Sequence, residues 1–188
     1  MTASPKHLIE GERNTAVGRV LVIVDETGAV RGLDFTAVAP RLSRLMDRMY
    51  PGLVRQSGDI PPAVGSALDA YFEGRLEALS QVTHRTRGTG FQTRVWRALC
   101  EIPPGETLSY GEIARRIGTP GASRAVGLAN ANNPVALIIP CHRVIGQSGA
   151  LTGYAGGMDR KAWLLSHEGA AFRPAPEAAR QSSAVISQ

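Results

Sequence analysis

The sequence has few cysteines and no long apolar run. Only Cys100 and Cys141 occur in 188 residues, which is too few for a disulfide framework or a cysteine-built zinc site. No stretch reaches the roughly 18 consecutive apolar residues of a membrane span, and Met1–Arg13 lacks the apolar core of a signal peptide. We therefore expect a cytoplasmic protein with two free thiols, no metal site and no membrane contact.

Acidic residues are also in the minority. The formal net charge is +5 and the isoelectric point is about 9.8. Residues 88–170 hold eight Lys or Arg against five Asp or Glu, whereas residues 1–87 hold 11 against 10. The excess favours a polyanionic partner, but a mildly basic surface without any nucleic-acid role fits the charge equally well.

The first half of the chain has the patterns of a small α+β unit. Two strand-like runs, Val20–Val24 and Ala29–Phe35, flank a turn at Asp25–Gly28 and predict a hairpin within residues 17–35. Apolar residues at helical spacing predict a helix over Pro40–Tyr50. A second helix should begin near Pro61, since proline is favoured at helix starts. We expect residues 1–87 to form a scaffold domain that ends in a polar linker.

The second half begins with two patterns typical of short helices. Phe91–Ile102 is predicted to be a helix, on which Cys100 should be a buried, unreactive thiol. Ser109 and Glu112 form the pattern of a capping box, and Thr119 with the following proline is predicted to start another helix. Two short helices joined by a tight glycine turn suggest a helix-turn-helix.

A further helix is predicted over Met158–His167, and Gly169 should end it. Ala162, Trp163 and Leu165 are expected to face the core.

The predicted second helix of this pair presents mostly small side chains outward. These are Ser123, Arg124, Gly127, Leu128 and Asn130. Small residues let a backbone approach a nucleic acid closely, and Arg124 is the one long cation among them. A solvated surface arginine is the alternative interpretation.

The strongest chemical signal lies around Cys141. The apolar run Val135–Ile139 predicts a short buried strand that ends at Pro140, so that Cys141 and His142 would sit where a strand meets a loop. The thiolate is the nucleophilic form of cysteine, which therefore needs a base such as His142. Because adjacent side chains on a strand point to opposite faces, a bridging water or a bend is required. Glu168 is the acid best placed in sequence to orient the histidine.

These residues alone leave three functions open. A thiol hydrolase or peptidase would use the Cys/His pair and turn over. A second class of protein would transfer a group onto its own cysteine. A third would be a DNA-binding module whose cysteine is merely buried, and the spacing does not separate the three.

An ordered series of motifs covers nearly all of residues 88–170. The motifs are Phe91-Gln92-x-x-Val95-Trp96, Ser109-Tyr110-x-x-Ile113-Ala114, Arg124-Ala125-Val126-Gly127, Pro140-Cys141-His142-Arg143-Val144, Gly149-x-Leu151-x-Gly153-Tyr154-x-Gly156-Gly157 and Lys161-x-Trp163-Leu164-Leu165-x-His167-Glu168-Gly169. This series resembles the O6-alkylguanine-DNA alkyltransferases, the methylated-DNA–protein-cysteine methyltransferases. The resemblance implies an α+β fold with a small ribonuclease-H-like N-terminal domain over 1–87. A winged helix-turn-helix-like catalytic domain would follow over 88–170, and residues 171–188 are expected to be a disordered tail.

The resemblance also implies a role for each matching residue in the chemistry. Cys141 would accept the alkyl group from O6 of guanine. His142 would deprotonate Cys141 through a water, oriented by Glu168. Asn133 would tie the segment together through its amide, and Tyr110 would sit near the target's phosphate and donate a proton to the leaving guanine.

Further matching residues would bind DNA. Arg124 would fill the gap left by a flipped-out base, on a helix in the minor groove that also carries Ser123 and Gly127. Tyr154 and the loop after it would wall the pocket. The pocket residues expected from the match are Val144, Tyr154, Ala155 and Gly156. Ala155 stands where some members of the family carry a serine, so the balance between methylated guanine and methylated thymine is left open.

The family's activity is direct reversal of DNA damage without a cofactor. The implied partner is double-stranded DNA containing alkylated bases, bound by a monomer, with cooperation along DNA left open. A thioether is a very poor leaving group, so we expect one transfer per molecule. The alternatives kept are a non-catalytic protein that recognises alkyl lesions and, less favoured, a Cys/His thiol hydrolase.

Overall fold

A computed structural model of the protein describes residues 4–174. We expected a tail from residue 171 onward, but residues 171–174 still belong to the body of the protein, because backbone hydrogen bonds attach Arg173 to it. The backbone nitrogen of Leu151 donates to the oxygen of Arg173 at 3.0 Å, and the nitrogen of Arg173 donates to the oxygen of Gly149 at 2.8 Å. The remainder of the expected tail, 175–188, lies outside the described residues.

A four-stranded sheet forms the first half of the chain. Its strands are β1 (Leu8–Arg13), β2 (Val20–Asp25), β3 (Val30–Phe35) and β4 (Arg55–Ser57), in the order β3-β2-β1-β4. β1 runs parallel to β4 and antiparallel to β2, which pairs antiparallel with β3. The predicted hairpin is therefore confirmed as β2–β3, whereas β1 and β4 carry no apolar alternation and were not predicted.

Both faces of β2 are covered, which explains why all of its residues are buried. Leu21 and Ile23 contact helix α1 (Ala39–Met49), and the alternate valines join the main core. Helix α2 (Pro62–Phe72) packs on that main core through Val64, Leu68 and Tyr71. Both helices predicted for this half are confirmed.

The second half contains four helices and a short parallel strand pair. These are α3 (Gly90–Cys100), β5 (Leu108–Ser109), α4 (Tyr110–Arg116), α5 (Ser123–Ala131), β6 (Val144–Ile145) and α6 (Met158–His167), with β5 pairing β6. Capping boxes start α3 at Thr89 and α4 at Ser109, because each side chain accepts from the backbone three residues on. The bounds predicted for α6 are confirmed. None of the helices in 4–174 is both long and apolar enough to cross a membrane.

Helix α5 begins later than the sequence predicted. Thr119 and Pro120 lie in a turn in which the nitrogen of Ala122 donates to the oxygen of Thr119 at 3.1 Å. Gly121 has a φ of +87°, which interrupts helical geometry. The proline therefore shapes the connection between α4 and α5, and the helix starts at Ser123.

The strand predicted over Val135–Ile139 does not form. Only Val135 makes a bridge, to Leu33, and the chain then coils into turns with the nitrogen of Ile139 donating to the oxygen of Val135 at 2.9 Å. Leu137 has a φ of +69°, the one positive value for a non-glycine residue in 4–174. The apolar run reflects burial on every side rather than extension, since short apolar runs do not distinguish strand from other buried backbone.

One hydrophobic core connects the two halves. It includes residues of β2, β3 and α2 together with residues of α3, α4, α5 and the 135–139 turn. Trp96 lies in it and donates its indole N–H to the oxygen of Ala129 on α5 at 2.9 Å.

Two expectations about buried side chains in the second half are wrong. Cys100 is exposed rather than buried, and Trp163 on α6 faces outward with 36% of its surface exposed.

Candidate active site

Cys141 lies at a cavity of about 400 Å³, in the range of small-molecule sites. Only 6% of the residue is exposed. The end of α5, the turn before Cys141 and a glycine-containing loop surround the cavity. Its lining consists of Asp34, Arg41, Tyr110, Gly127, Asn130, Ala131, Asn133, Ala136, Cys141, Gly153, Tyr154, Ala155 and Gly156. The structure thus brings the cysteine together with residues from both halves of the chain.

A turn built by Asn133 presents the cysteine. The Asn133 amide nitrogen donates to the oxygen of Ile139 at 2.8 Å, and its amide oxygen accepts from the nitrogen of Val135 at 3.0 Å. Cys141 then opens a single 3₁₀ turn over Cys141–Arg143 instead of following a strand. The 3₁₀ turn is the bend that an adjacent Cys/His pair requires. Asn133 thus holds the segment together through its side-chain amide.

His142 is fully buried and bonded to Glu168. Its Nε2 lies 2.9 Å from Glu168 Oε1, while its Nδ1 has no hydrogen-bond partner among residues 4–174. Burial lowers the pKa of His142 below its usual 6.5, against the opposing effect of Glu168. The ring is therefore neutral near pH 7. Because the carboxylate only accepts, Nε2 carries the proton and Nδ1 keeps a free lone pair.

The Glu168 carboxylate has a full set of donors. Besides His142, Tyr71 donates its hydroxyl to Oε1 at 2.7 Å, and Arg143 donates Nε to Oε2 and Nη2 to Oε1, each at 2.8 Å. The hydrogen bonds from His142 and Arg143 hold the pKa of Glu168 well below its usual 4.5 despite burial. We call Tyr71, His142, Arg143 and Glu168 the carboxylate cluster. It keeps a charge inside the core by pairing it completely.

Burial raises the pKa of the Cys141 thiol. The polar side chain of Asn133 and the positive charges of Arg41 and Lys161 lower the pKa in part, whereas the negative charge of Asp34 raises it further. The cysteine is therefore a thiol at rest. It requires a base to become nucleophilic, and the free Nδ1 of His142 is the buried base next to it in the chain.

Lys161 fastens the cysteine segment to the glycine-containing loop. Its ammonium is buried and donates to the oxygen of Val144 at 2.6 Å and to the oxygen of Thr152 at 2.7 Å. Burial lowers its pKa to about 8. Val144 is wholly buried in β6 and does not line the cavity, which corrects its expected place in the pocket wall.

The first half of the chain supplies an arginine and an aspartate to the cavity. Arg41 of α1 pairs with Asp34 and donates to the backbone oxygens of Ala131 at 2.5 Å and Asn133 at 2.9 Å. Burial raises the pKa of Asp34, which its arginine partner opposes. Arg41 therefore couples α1 to the end of α5 and to the turn that carries the cysteine.

Two tyrosines stand on the cavity wall. Tyr110 accepts a hydrogen bond from the Thr152 hydroxyl at 3.4 Å, and the buried hydroxyl of Tyr154 has no partner within the residues that the structure describes. Gly156 lies so close to the rings of Tyr154 and Phe35 that a Cβ there would meet them at 2.7 and 2.8 Å. Gly156 and Tyr154 are thus packed in place, whereas the Ala155 residue is exposed.

The outer face of α5 differs from the predicted set in one residue. Arg124 and Leu128 are exposed, the latter at 67%, and Ser123 and Gly127 are half-buried beside them. Asn130 instead points inward and donates its amide to the oxygen of Cys141 at 3.4 Å. At the last turn of α5 the inward face meets the cysteine segment, so this polar residue is buried.

Sequence reasoning missed five residues of the site. Arg143 and Lys161 lie within the family motifs, so a signal exists, although the match implies no role for them. Asp34, Arg41 and Tyr71 lie within a predicted strand and two predicted helices, where nothing local marks them. Within 4–174 no group of three or more His, Cys, Asp and Glu side chains is arranged to hold a metal ion.

A buried cysteine at a cavity, followed by a neutral histidine that is bonded to a charged carboxylate, is typical of a cysteine-dependent enzyme. Residues 90–170 match the family model for the 6-O-methylguanine DNA methyltransferase DNA-binding domain. The chain is also 43% identical over 164 residues to the methylated-DNA–protein-cysteine methyltransferase of Shigella flexneri, covering 86% of this chain and 96% of that relative. The chain belongs to the methylated-DNA–protein-cysteine methyltransferase family, as its motifs indicated.

Other relatives support this family assignment, and solved structures have a similar fold. The Mycobacterium tuberculosis methylated-DNA–protein-cysteine methyltransferase is 55% identical over 129 residues, covering 66% of this chain and 77% of that protein. The crystal structure of Mycobacterium tuberculosis OGT in complex with DNA superposes with a TM-score of 0.71 at 40% identity, covering 86% and 92% of the two chains. The archaeal O6-methylguanine-DNA methyltransferase from Pyrococcus kodakaraensis, at 22% identity and a TM-score of 0.68, shares the mixed α+β fold.

Proposed function

We propose that this protein repairs duplex DNA by transferring a methyl or larger alkyl group from O6 of guanine to the sulfur of Cys141. The observation that carries the proposal is a buried, cavity-lining thiol followed in the chain by a histidine whose Nδ1 has no hydrogen-bond partner in the described part of the chain. Membership of the methyltransferase family supports the same chemistry. Methylated O4 of thymine is the second substrate proposed.

The transfer begins with removal of the thiol proton. His142 Nδ1 takes it through a water, and the charge that then develops on the ring is stabilised by Glu168. The thiolate attacks the alkyl carbon in line, the S–C bond forms and the C–O bond breaks with its electron pair going to guanine. Tyr110, on the cavity wall, donates a proton to the leaving base and is reprotonated by way of His142, so guanine ends with the proton that the thiol lost.

Each molecule acts once. The product is a thioether, and a thiolate regenerated from it would have to leave from an unactivated carbon. The carboxylate cluster contains a base but no second nucleophile that could remove the alkyl group. Repair should therefore stop when the number of alkyl groups removed equals the number of protein molecules.

The burial of Cys141 requires the base to leave the duplex. A stacked guanine keeps its O6 out of reach of a residue that is only 6% exposed, so the nucleotide must flip at a cost of a few kcal/mol. In this proposal α5 lies in the minor groove and Arg124 enters the gap. The small residues Ser123 and Gly127 allow the close approach of the helix to the DNA.

The proposal includes the finer description of the domains. Residues 88–170 would form a winged helix-turn-helix-like catalytic domain, supported by the packing of α4 on α5 beside the β5–β6 pair. Residues 1–87 would form a ribonuclease-H-like domain, supported by the mixed four-stranded sheet covered by α1. The protein would bind DNA as a monomer, and cooperation along longer DNA belongs to the same proposal.

The test uses excess duplex oligonucleotide containing O6-methylguanine. Intact mass, followed by the mass of the tryptic peptide Ala125–Arg143, should show one added methyl on Cys141. Cys141→Ser should abolish the gain, whereas Cys100→Ser, at the exposed thiol, should retain it. Repair beyond one equivalent would establish a turning-over enzyme instead. DNA binding without any mass gain would leave a non-catalytic lesion-binding protein.

A further inference from the structure

Helix α1 carries three arginines on one side, and two of them face solvent. Arg41, Arg44 and Arg48 are spaced at i, i+3 and i+7, which places them on one helix face. Arg41 turns inward to Asp34, whereas Arg44 and Arg48 are exposed. We call Arg44 and Arg48 the α1 basic pair. Nothing in the chemistry at Cys141 uses them.

The positive charges of the α1 basic pair are not neutralised within the described part of the chain. Asp47, the one acidic residue on α1, is bonded to Arg55 at 3.0 Å. Arg44 makes no ion pair or hydrogen bond in residues 4–174. Arg48 donates Nη2 to the side-chain oxygen of Asn132 at 2.9 Å, and this partner carries no charge. Two guanidinium groups are thus left to attract an external anion.

These cations are continuous with the exposed face of α5. Asn132, which accepts from Arg48, donates its own amide to the oxygen of Leu128 at 2.7 Å. A groove of about 450 Å³ runs between the two helices at this point. It is lined by Arg41, Arg44, Leu45, Asp47, Arg48, Ala131 and Asn132. The α1 basic pair therefore lies beside the C-terminal end of α5.

We propose that Arg44 and Arg48 bind phosphate groups of the DNA strand next to the damaged nucleotide. This inference rests on the proposed function, which lays the duplex along α5. DNA that covers Arg124 and Leu128 and continues past the end of α5 passes over the groove. Guanidinium groups bind phosphate oxygens in pairs of parallel hydrogen bonds, and such contacts fix position without reading sequence.

The contact would make the first half of the chain part of the DNA-binding surface. Arg41 links the same helix to the backbone oxygens of Ala131 and Asn133. A phosphate held on α1 is therefore held in fixed relation to the turn that presents Cys141. The helix that anchors the strand is also the helix that braces the catalytic segment.

The experiment measures binding of the full-length protein to undamaged duplex DNA as a function of salt concentration. Arg44→Ala and Arg48→Ala should each weaken binding about fivefold at 0.15 M salt and reduce the slope of log K against log salt by about 1. Arg75→Ala is the matched control, since this exposed arginine pairs with Glu73 away from α1 and α5 and its loss changes net charge equally. Its slope should equal that of the wild type.

A second readout separates binding from chemistry. With O6-methylguanine duplex, single-turnover transfer at saturating DNA should be unchanged in Arg44→Ala and Arg48→Ala, while the DNA concentration for half-maximal rate rises. Replacing individual phosphates with neutral methylphosphonates should abolish the difference from wild type at one or two positions beside the lesion. Equal slopes and equal half-maximal concentrations for the variants and wild type would overturn the inference, and the surface would then suit an acidic protein instead.

The two proposals fail in different ways. If the wild type acquires no methyl group, the proposed function is wrong whatever the salt slopes are. If the wild type is methylated on Cys141 but the slopes of the arginine variants match the Arg75→Ala control, only the inference about α1 is wrong.

Discussion

The carboxylate cluster and the exposed face of α5 handle charge in opposite ways. Glu168 is surrounded by donors from Tyr71, His142 and Arg143, at distances of 2.7–2.9 Å in the protein interior. Arg124 on α5 stands in solvent. A buried charge that loses a partner is costly, whereas a surface charge is screened and individually weak. In the proposed function, the chemistry depends on the fully paired charge in the interior and DNA binding depends on the exposed charge of α5.

Glu168→Gln should have the largest effect, because it removes the buried charge on which the carboxylate cluster is built. The neutral amide leaves Arg143 buried without a counter-charge, so we expect a loss of about 3–5 kcal/mol in the free energy of unfolding. Methyl transfer should also fall, because the protonated histidine loses the negative charge that stabilises it. Urea unfolding and single-turnover transfer measure both effects. Glu73→Gln, at a surface ion pair with Arg75, should cost less than about 1 kcal/mol.

Acidification tests the same cluster without a substitution. The pKa of His142 lies below its usual 6.5 in the folded protein, so the unfolded chain binds that proton first and stability falls as pH drops below about 6.5. Glu168 has a depressed pKa, so its contribution is complete above its usual 4.5 and is lost as pH falls further. Urea midpoints from pH 8 to pH 3.5 measure this decline in stability. In His142→Gln, the part of the decline that begins near pH 6.5 should be absent. A midpoint independent of pH would contradict the buried neutral histidine.

Tyr71→Phe should have a smaller effect. It removes one of the hydrogen bonds to Glu168 and leaves those from His142 and Arg143, at a cost of about 1 kcal/mol in the free energy of unfolding. If Tyr71 also helps to hold the carboxylate toward His142, the pH dependence of methyl transfer should shift as well. Tyr50→Phe is a control that should leave methyl transfer unchanged. The Tyr50 hydroxyl accepts a long hydrogen bond of 3.4 Å from Arg31 and does not contact the carboxylate cluster.

Arg124→Ala should change stability least, by less than about 0.5 kcal/mol, because the side chain is exposed. In the proposed mechanism it should nevertheless slow methyl transfer from duplex DNA, since the flipped base loses the group that fills its gap. Fluorescence of 2-aminopurine placed beside the lesion measures the extrusion. Equal extrusion in Arg124→Ala and wild type would remove Arg124 from this role.

The elements that could be predicted are those whose signals are local. The capping box at Ser109 and the bounds of α6 follow from residues within one or two turns of each other. The Cys/His pair and Glu168 were identified together because motifs fixed their order. An interaction between His142 and Glu168, 26 positions apart, could be expected, but the sequence does not show which of their atoms form the hydrogen bond.

The contributions of the first half could not be predicted, because they depend on packing between distant segments. Tyr71 reaches Glu168 across 97 positions and Arg41 reaches Asn133 across 92, and neither residue interrupts the helical pattern in which it stands. The turn at 135–139 was missed for a related reason. Its shape is set by the two side-chain hydrogen bonds of Asn133, whereas the apolar composition indicates only that the segment is buried.

The indole of Trp96 gives the protein an internal optical reporter. The sequence has only two tryptophans, and Trp96 is bonded to Ala129 on the inner side of α5. Trp163, by contrast, stacks on His167 at the surface, with ring centroids 4.8 Å apart. In a Trp163→Phe variant, the emission of the intact protein would come from one buried indole. Any tilt of α5 against α3 would then change the wavelength and intensity of a single chromophore, without an attached dye.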